Sequence, residues 1–282
     1  MKIACLMMQK NEDILLDPWL RYYDHLFGAE NIFLYDNGSE TQACREALKK
    51  AESMGSKVFY TYSEKKDFEN KGSIFSAKIQ ELDKLGEYEM YFPLDCDEFI
   101  GVRNSDGTFS FDRDRIISEV ALYKGAQRPL LVKQGLDNHP KKTGYFRFSN
   151  QVRKTFFPEL MCKTLDHGFH DGQARTGNPG HTTNLVYLHY HYKPYDVAVD
   201  HSKQKLLPWL EDFSKDSLLD FKRSRGPGHH LVDILLCSNA DEYYSNFEKF
   251  KGEYQKISAF TQEMSRLKIT LPYETAALGT RP

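Results

Sequence analysis

The sequence lacks the features that mark membrane-spanning and nucleic-acid-binding proteins. No apolar run reaches the roughly 18 residues that a membrane-spanning helix needs. The formal net charge is only −2, from 38 basic and 40 acidic residues. No overall positive charge is therefore present to hold a nucleic-acid backbone. We expect a protein with no transmembrane segment and no nucleic-acid partner.

Cysteine and the common catalytic motifs are also scarce. The five cysteines are odd in number, and no two have C-x-x-C spacing, which favours reduced thiols in the cytoplasm over a disulfide framework. The sequence contains no G-x-S-x-G, no P-loop and no G-x-G-x-x-G. It therefore offers no motif for a serine hydrolase, a P-loop NTPase or a dinucleotide-binding enzyme.

What the first hundred residues do contain is an alternation of short apolar runs with longer helical patterns. This alternation is typical of β-α-β units and a parallel sheet, so the sequence predicts an α/β fold. The first helix is predicted to have Asp17 as its N-cap, Pro18 at its first position and Gly28 at its end. Strands are predicted over 3–8, 31–36, 56–62 and 89–94, with helices over 17–28, 40–54 and 73–85. Further strands are predicted at 129–133, 144–148 and 185–192, and mostly helix over 202–266.

A carboxylate pair follows the fourth predicted strand, in the stretch YFPLDCDEFI. In open α/β sheets, ligands bind at the carboxyl ends of the strands. Asp95 and Asp97 fall there, as do residues 10–12 and Asp36 after two other strands. Carboxylates in this position suit Mg²⁺ or Mn²⁺, which usually share their coordination with substrate phosphates. The alternative is that Asp95 caps a turn while Asp97 and Glu98 face solvent.

A second D-x-D, formed by Asp112 and Asp114, has a different setting. It follows no long apolar strand and leads into the helical pattern IISEVALY. We predict a solvated turn and a helix cap for this pair.

Two histidines share one face of the predicted strand LVYLHYHY. Strict alternation places His189 and His191 on the same side. A neutral imidazole could complete a metal shell begun by the carboxylates. The alternative is a pair of hydrogen-bonded core histidines.

Taken together, four stretches resemble one protein family. The segments KNED, WLRYYDHLFGAENIFLYDNGSE, YFPLDCDEFI and HYHYK resemble the bacterial glycosyltransferase family 2-like proteins, particularly the subgroup akin to the DUF23 (family 92) enzymes. The resemblance covers the first hundred residues and returns around 160–205. It implies a GT-A fold, which is a Rossmann-like α/β/α sandwich, in a single domain over 1–282. Within that domain we expect a nucleotide-binding half at 1–100, an acceptor half at 101–200 and a C-terminal helical extension at 201–282.

The resemblance also implies an activity. The expected enzyme is a glycosyltransferase dependent on Mn²⁺ or Mg²⁺, which moves a sugar from a nucleotide-diphosphate sugar to an oligosaccharide or lipid-linked glycan, with inversion, in capsule or lipopolysaccharide synthesis. Such an enzyme is expected in the cytoplasm, with peripheral association at the inner face of the membrane. Two alternatives remain. One is a metal-dependent hydrolase or nucleotidyltransferase acting on nucleotide sugars. The other is a non-enzymatic carbohydrate-binding module that uses the aromatic residues for stacking.

The donor contacts implied by the resemblance fall on four positions. Asn11 and Glu12 are expected to line the nucleotide pocket, Asp36 to meet the base or ribose, and Lys163 to contact the diphosphate. These assignments predict that the loops after the first two strands form one side of a donor site.

The metal and base roles implied by the resemblance fall on further residues. Asp97 is expected to hold the metal, and Asp95 to contact the ribose or the metal, in the latter case through water. His189, which begins an H-Y-x-x-K pattern, is the first choice for a third ligand and His191 the second. Asp166 is the expected general base. The other base candidates are Asp171 and His167, and the alternative for Asp166 is a loop or helix-cap acid.

Overall fold

A computed structural model describes residues 1–149, 153–226 and 228–274. In this part of the chain the fold is built on two mixed β-sheets, one of seven strands and one of six. The strands in this part of the chain are β1 (Ile3–Gln9), β2 (Ile32–Asp36), β3 (Lys57–Phe59), β4 (Met90–Leu94), β5 (Glu98–Arg103), β6 (Phe109–Ser110), β7 (Leu130–Val132), β8 (Gln134–Asn138), β9 (Tyr145–Phe148), β10 (Lys154–Pro158), β11 (Cys162–Leu165), β12 (Gly172–Ala174), β13 (His181–Thr182), β14 (Leu185–His189) and β15 (Gln255–Lys256). The helices are α1 (Leu16–Phe27), α2 (Gln42–Met54), α3 (Lys65–Glu69), α4 (Lys71–Leu85), α5 (Arg113–Ala121), α6 (Tyr195–Leu206), α7 (Lys215–Ser224), α8 (Val232–Leu236), α9 (Ala240–Glu248) and α10 (Ser258–Arg266).

The first sheet has the strand order β13-β7-β10-β4-β1-β2-β3. Strands β4, β1, β2 and β3 run parallel to one another, and β10 runs antiparallel to β4. The carboxyl ends of the parallel strands therefore meet at one edge of the sheet. The four strands predicted in the first hundred residues are all present, and the predicted α/β class is confirmed.

Both faces of the first sheet are covered, which explains why the interior strand β1 is an unbroken apolar run up to its last residue, Gln9. All seven residues of β1 are buried. Cys5 and Met7 face the core that contains Trp19 and Tyr22 of α1, whereas the alternate residue Leu6 faces the core that contains α4. A strand buried on both sides has an apolar run in place of an alternating pattern.

The second sheet has the order β15-β9-β8-β14-β5-β6. Its register places His189 of β14 opposite Glu98 of β5 on one side and opposite Asp137 of β8 on the other. Asp137 is in turn opposite Arg147 of β9. We call these four residues the charged row. Four ionisable residues thus lie side by side across four adjacent strands.

Several predicted element ends can be compared with the structure. Helix α1 begins at Leu16 and not at Pro18, because the backbone N–H of Leu16 already donates to the carbonyl of Glu12 at 2.9 Å. The proposed Asp17 N-cap was therefore wrong: Asp17 and Pro18 lie in the first turn, where a missing N–H costs no helical hydrogen bond. The predicted end at Gly28 is confirmed.

Two further predictions concern the rest of the chain. Asp112 is the N-cap of α5, as predicted, and accepts a hydrogen bond from the backbone N–H of Arg115 at 3.0 Å. Helices α6 to α10 confirm the prediction of mostly helix over 202–266, apart from Pro227, which lies outside the described part of the chain, as do residues 275–282.

Candidate active site

The D-x-D turn connects the two sheets. Strand β4 ends at Leu94 and β5 begins at Glu98. The Glu98 carboxylate accepts a hydrogen bond from the backbone N–H of Asp95 at 3.0 Å, and the Trp19 indole donates to the Asp95 carbonyl at 3.1 Å. These bonds fix the turn at the carboxyl edge of the parallel strands, where the sequence placed a ligand site.

Asp95 lies between two buried lysines. Its two carboxylate oxygens are 2.5 Å from Nζ of Lys71 and 2.7 Å from Nζ of Lys154, and the Lys154 side chain is only 2% exposed. Burial would raise the pKa of Asp95, but the two lysine charges outweigh burial and hold the pKa well below its usual range. Both oxygens are thus occupied, and a direct bond from Asp95 to a metal would have to compete with two ion pairs.

Lys154 also binds Glu98. Its Nζ is 2.8 Å from a Glu98 carboxylate oxygen and donates to the carbonyl of Gly168 at 3.0 Å. Burial raises the pKa of Glu98, and the attraction of Lys154 only partly offsets this rise. Asp95, Glu98, Lys71 and Lys154 form what we call the lysine–carboxylate cluster, which links β4, β5, α4 and β10.

Asp97 points away from this cluster and toward His189. Its Oδ2 is 3.4 Å from Nε2 of His189, and the two side chains are 27% and 13% exposed. Burial alone would lower the pKa of His189, but the Asp97 and Asp137 carboxylates outweigh it and raise the pKa to about 10. In return, His189 is the main cause that holds the pKa of Asp97 below its usual range, against the opposing effect of burial.

A divalent cation fits this position by its chemistry. Ligand atoms of Asp97, Glu98 and His189 all lie within 4.8 Å of one another. Two carboxylates and an imidazole are donors that Mn²⁺ and Mg²⁺ accept, and the imidazole favours Mn²⁺ of the two. Asp95 is not a member of this group, nor is His191. The His191 side chain is exposed beyond the end of β14, with its ring 4.9 Å from that of His189.

Asn11 and Asp36 hold together the loops that follow β1 and β2. The Asn11 side-chain oxygen accepts from the backbone N–H of Glu40 at 2.8 Å. The two carboxylate oxygens of Asp36 accept from the Gln9 side chain at 2.8 Å and from the backbone N–H of Ser39 at 3.0 Å. Asp36 is buried. Within the described ranges the Asn11 side-chain amide N–H groups make no hydrogen bond, whereas each oxygen of Asp36 accepts one.

Glu12 lies in a group of basic residues that extends to α6. Its carboxylate is 3.6 Å from Nζ of Lys193 and 4.0 Å from Nε2 of His201, and Lys193 donates to the Tyr273 hydroxyl at 3.1 Å. Half-buried Lys205, one turn after His201, makes no ion pair with any residue in the described ranges. Burial lowers its pKa. The sequence interpretation missed His201 and Lys205, although their i, i+4 spacing, which begins eight residues after the H-Y-x-x-K pattern, was a signal.

Lys163 and Asp166 lie on the β11–β12 hairpin. The Lys163 side chain is exposed, and its carbonyl accepts a hydrogen bond from Gln80. Asp166 accepts from the backbone N–H of Asp171 at 2.7 Å and from that of Gly168 at 3.3 Å. Asp166 thus closes its own loop, as expected for the loop-acid alternative. The same loop reaches the lysine–carboxylate cluster through Gly168.

An open cleft of about 270 Å³ lies elsewhere, at the opposite ends of β5 and β14. It is lined by Arg103, Asn104, Ser105, Gly107, Gln134, Thr183 and Asn184. None of the residues that converge on Asp97 lines it. The candidate site is therefore defined by its converging charges and not by this cleft.

Comparisons with known proteins give distant similarities only. The sequence matches no protein-family model and no curated protein. Among solved structures, residues 1–349 of TarS from S. aureus have 12% identity and a TM-score of 0.38, with 89% of this chain and 74% of that chain covered. Core-mannan synthase A (CmsA/Ktr4) from Aspergillus fumigatus, in a Mn/GDP form, has 11% identity and a TM-score of 0.27, with 51% and 45% covered.

A third similarity is to a cytidylyltransferase from Leptospira borgpetersenii, with 11% identity, a TM-score of 0.29, and 56% of this chain and 60% of that chain covered. All three TM-scores are low, so these similarities carry no argument about what this chain does. In the described part of the chain, no helix is both long enough and apolar enough to cross a membrane.

Proposed function

We propose that this protein is a metal-dependent glycosyltransferase that moves a sugar from a nucleotide-diphosphate sugar to a glycan acceptor. One observation carries the proposal: Asp97 of the D-x-D turn and His189 of a distant strand come together at the carboxyl ends of the parallel strands. Open α/β sheets bind ligands at that edge. The resemblance of four sequence stretches to family 2-like glycosyltransferases supports the same activity.

Asp97 and His189 are the residues that we propose as metal ligands, with Glu98 beside them. When bound, Mn²⁺ or Mg²⁺ supplies Lewis-acid stabilisation of the negative charge that develops on the leaving nucleoside diphosphate. Asp95 has a different role in this proposal, because its oxygens already bind Lys71 and Lys154. Asp95 holds these two positive charges beside the site. His191 is the reserve ligand, since its ring lies next to that of His189.

The donor is held by residues on three sides of this centre. Asn11 and Glu12 contribute from the loop after β1, and Asp36 fixes the neighbouring loop against the ribose and base. Lys205 contacts the diphosphate, because it carries a positive charge that no carboxylate within the described ranges neutralises. Lys163, which is exposed on β11, is a second diphosphate contact.

The reaction requires one bond to form and one to break. An acceptor hydroxyl attacks the anomeric carbon from the face opposite the diphosphate, and the bond from that carbon to the diphosphate oxygen breaks. The hydroxyl proton passes to a carboxylate, for which we propose Asp166. The anomeric configuration is inverted, and the nucleoside diphosphate leaves.

The acceptor in this proposal is an oligosaccharide or a lipid-linked glycan of a capsule or lipopolysaccharide. A lipid-linked acceptor places the enzyme in the cytoplasm with peripheral contact to the inner face of the membrane. Vesicles containing such an acceptor should bind the protein, and vesicles without it should not.

The proposal is tested by thermal unfolding with UDP, GDP, CDP and dTDP, each with and without Mn²⁺. A ligand at a hundred times its dissociation constant stabilises the folded state by roughly 2.7 kcal/mol, which raises the melting temperature of a chain of this length by about 5 °C. One nucleotide should produce this shift only when Mn²⁺ is present. The assay also identifies the base of the donor.

The two D-x-D pairs supply a matched control. Asp97→Asn should remove the metal-dependent shift, whereas Asp114→Asn should keep it, because the Asp114 side chain is 91% exposed in the first turn of α5. A shift that survives Asp97→Asn would contradict the proposed metal site. Pyrophosphate release would indicate nucleotidyl transfer instead, and sugar release without acceptor would indicate a hydrolase. Stabilisation by glycans alone, indifferent to metal, would indicate a binding module.

A further inference from the structure

The charged row places one carboxylate behind the proposed histidine ligand. Strands β5, β14 and β8 are adjacent, and their register sets Glu98, His189 and Asp137 directly across from one another. Directly opposed residues of adjacent strands have their side chains on the same face of the sheet. His189 therefore has an acidic neighbour on each side, and Asp137 lies on the side away from the D-x-D turn.

His189 and Asp137 lie close to each other, but their facing atoms do not form a hydrogen bond. Nδ1 of His189 is 3.4 Å from Oδ1 of Asp137, while Nε2 on the other side of the ring is 3.4 Å from Asp97. Both Nδ1 and Oδ1 are buried atoms, and neither has a hydrogen-bond partner among the residues that the structure describes. Asp137 is only 2% exposed. Buried polar atoms are nearly always hydrogen-bonded, and an unpaired buried carboxylate is costly.

These two atoms can satisfy each other with a small rotation of the ring. Imidazole N–H is a donor and the carboxylate is an acceptor only, so the pairing has one possible direction. A neutral imidazole that donates from Nδ1 has its lone pair on Nε2. That lone pair lies on the Asp97 side of the ring.

We propose that Asp137 is a positioning residue for the metal site, which accepts the Nδ1–H of His189 and so directs the unprotonated Nε2 toward the metal beside Asp97. The inference rests on the proposed function, because it requires that a metal binds there. Histidine ligands commonly donate their second ring N–H to a carboxylate, and loss of such a partner weakens metal binding about 10- to 100-fold.

The fourth member of the row places a cationic side chain on the other side of Asp137. Arg147 of β9 is directly across from Asp137, and its guanidinium is 4.1 Å from the ring of Phe250 and 5.8 Å from that of Tyr254. The aromatic rings hold the arginine over β9. Acidic and basic residues therefore alternate along the row from β5 to β9. Asp137 lies between His189, which can donate a proton to it, and the cationic Arg147.

The test is a titration of the full chain with Mn²⁺ alone, followed by electron paramagnetic resonance of the free ion. Asp137→Asn keeps the size of the side chain and removes its charge, and it should raise the Mn²⁺ dissociation constant about 10- to 100-fold. Asp83→Asn is the matched control. Asp83 is also a buried carboxylate, bonded to Arg175 and to the backbone of Leu160 at the other end of the first sheet. Its variant should lose stability without a change in Mn²⁺ affinity.

The outcomes separate this inference from the proposed function. If the wild-type protein binds no Mn²⁺, both are overturned. If wild-type binds Mn²⁺ and Asp137→Asn binds it equally well, the proposed function stands and the positioning role is overturned. Weaker binding by both Asp137→Asn and Asp83→Asn would also overturn the inference, because it would indicate a general effect of lost stability.

A measurement on the wild-type chain covers the case in which Asp137→Asn fails to fold. Proton–nitrogen correlation spectra of histidine labelled with ¹⁵N, recorded with Zn²⁺ as a diamagnetic probe, identify which ring nitrogen carries the proton. The inference requires a proton on Nδ1 of His189 and metal on Nε2. Metal on Nδ1 would overturn it.

Discussion

Replacement of Lys154 by methionine is the sharpest test of the energetics around the D-x-D turn. Nζ of Lys154 is 2.7 Å from Asp95, 2.8 Å from Glu98 and 3.0 Å from the carbonyl of Gly168. Methionine fills a similar volume and removes the charge. Asp95 keeps Lys71 as a partner, but Glu98 loses the one ion pair it has within the described residues and keeps the hydrogen bond from the backbone of Asp95. The variant thus leaves the buried Glu98 carboxylate without its close ion pair, and only His189, within 4.8 Å, remains as a basic neighbour in the site.

The expected cost follows from that unpaired charge. Removal of one partner of a buried ion pair typically costs about 3–5 kcal/mol. For a chain of this length that corresponds to a fall in melting temperature of roughly 5–8 °C. Lys50→Met is the matched control. Lys50 and Asp17 form an ion pair in which both side chains are about half exposed, and such a pair contributes no more than about 1 kcal/mol.

The loss of stability caused by Lys154→Met should depend on pH in a direction that can be predicted. The pKa of Glu98 is already raised in the folded wild-type protein, chiefly by burial. Without Lys154 it rises further, so the folded state binds the proton more readily than the unfolded state does. Where the folded state holds more protons, stability falls as pH rises. The loss of stability in Lys154→Met should therefore be largest above the pKa that Glu98 has in the folded state. It should shrink as the solution is acidified toward the pKa that Glu98 has in the unfolded state.

The assay is urea unfolding followed by circular dichroism, for wild type, Lys154→Met, Glu98→Gln and the double variant. The double variant should recover part of the loss, because glutamine leaves no charge unpaired, and the cycle gives the coupling energy directly. A loss of less than about 1 kcal/mol for Lys154→Met would refute the reasoning, since that is the value expected of an exposed pair. A deficit that grows on acidification would refute the assignment to Glu98.

Three further predictions concern binding and turnover. Mn²⁺ affinity should rise about tenfold per pH unit between about pH 6.5 and 8, because the metal displaces a proton from His189, whose pKa is raised to about 10. A titration at several pH values that shows no such slope would mean that His189 is not a ligand. Lys205→Met should weaken nucleoside diphosphate binding about 10-fold or more by calorimetry, as expected for a lost charged hydrogen bond, and it should leave the melting temperature of the free protein nearly unchanged. Asp166→Asn should lower kcat about 10²- to 10⁴-fold with donor binding intact; in a steady-state assay, a kcat near that of wild type would identify Asp166 as a loop acid.

The parallel half of the first sheet was predictable because its strands carry their own signal. A strand buried on both faces must be apolar throughout, and the helices between such strands must be amphipathic, so each element is visible locally. Strand β1 is fully buried, and β4 ends directly before Asp95. The position of the D-x-D at a strand end followed from the same pattern. The proximity of Asp97 and His189 was expected from the family resemblance. The only support from the local sequence was that His189 and His191 share one face of their predicted strand.

The surroundings of Asp95 could not be predicted in the same way. Lys71 and Lys154 reach it from a helix start and from a strand that is antiparallel to β4, and neither has a local pattern that distinguishes a buried lysine from a surface one. Strand β5 also escaped prediction, because it begins within the motif, at Glu98. The register of β8 against β14 is a property of pairing and not of either strand alone, so the neighbourhood of Asp137 required the structure.

The separation of Asp97 and His189 along the chain has a consequence for synthesis of the chain on the ribosome. Asp97 leaves the ribosome about 90 residues before His189, which at typical elongation rates is roughly 5 to 18 seconds. During that interval the nascent chain carries the D-x-D signature but lacks the histidine, and for the first 57 residues of it Lys154 is missing as well. Under the proposed function, a truncated chain that ends before β14 should therefore not bind Mn²⁺, because binding requires a chain that extends past His189, at about two thirds of the 282 residues.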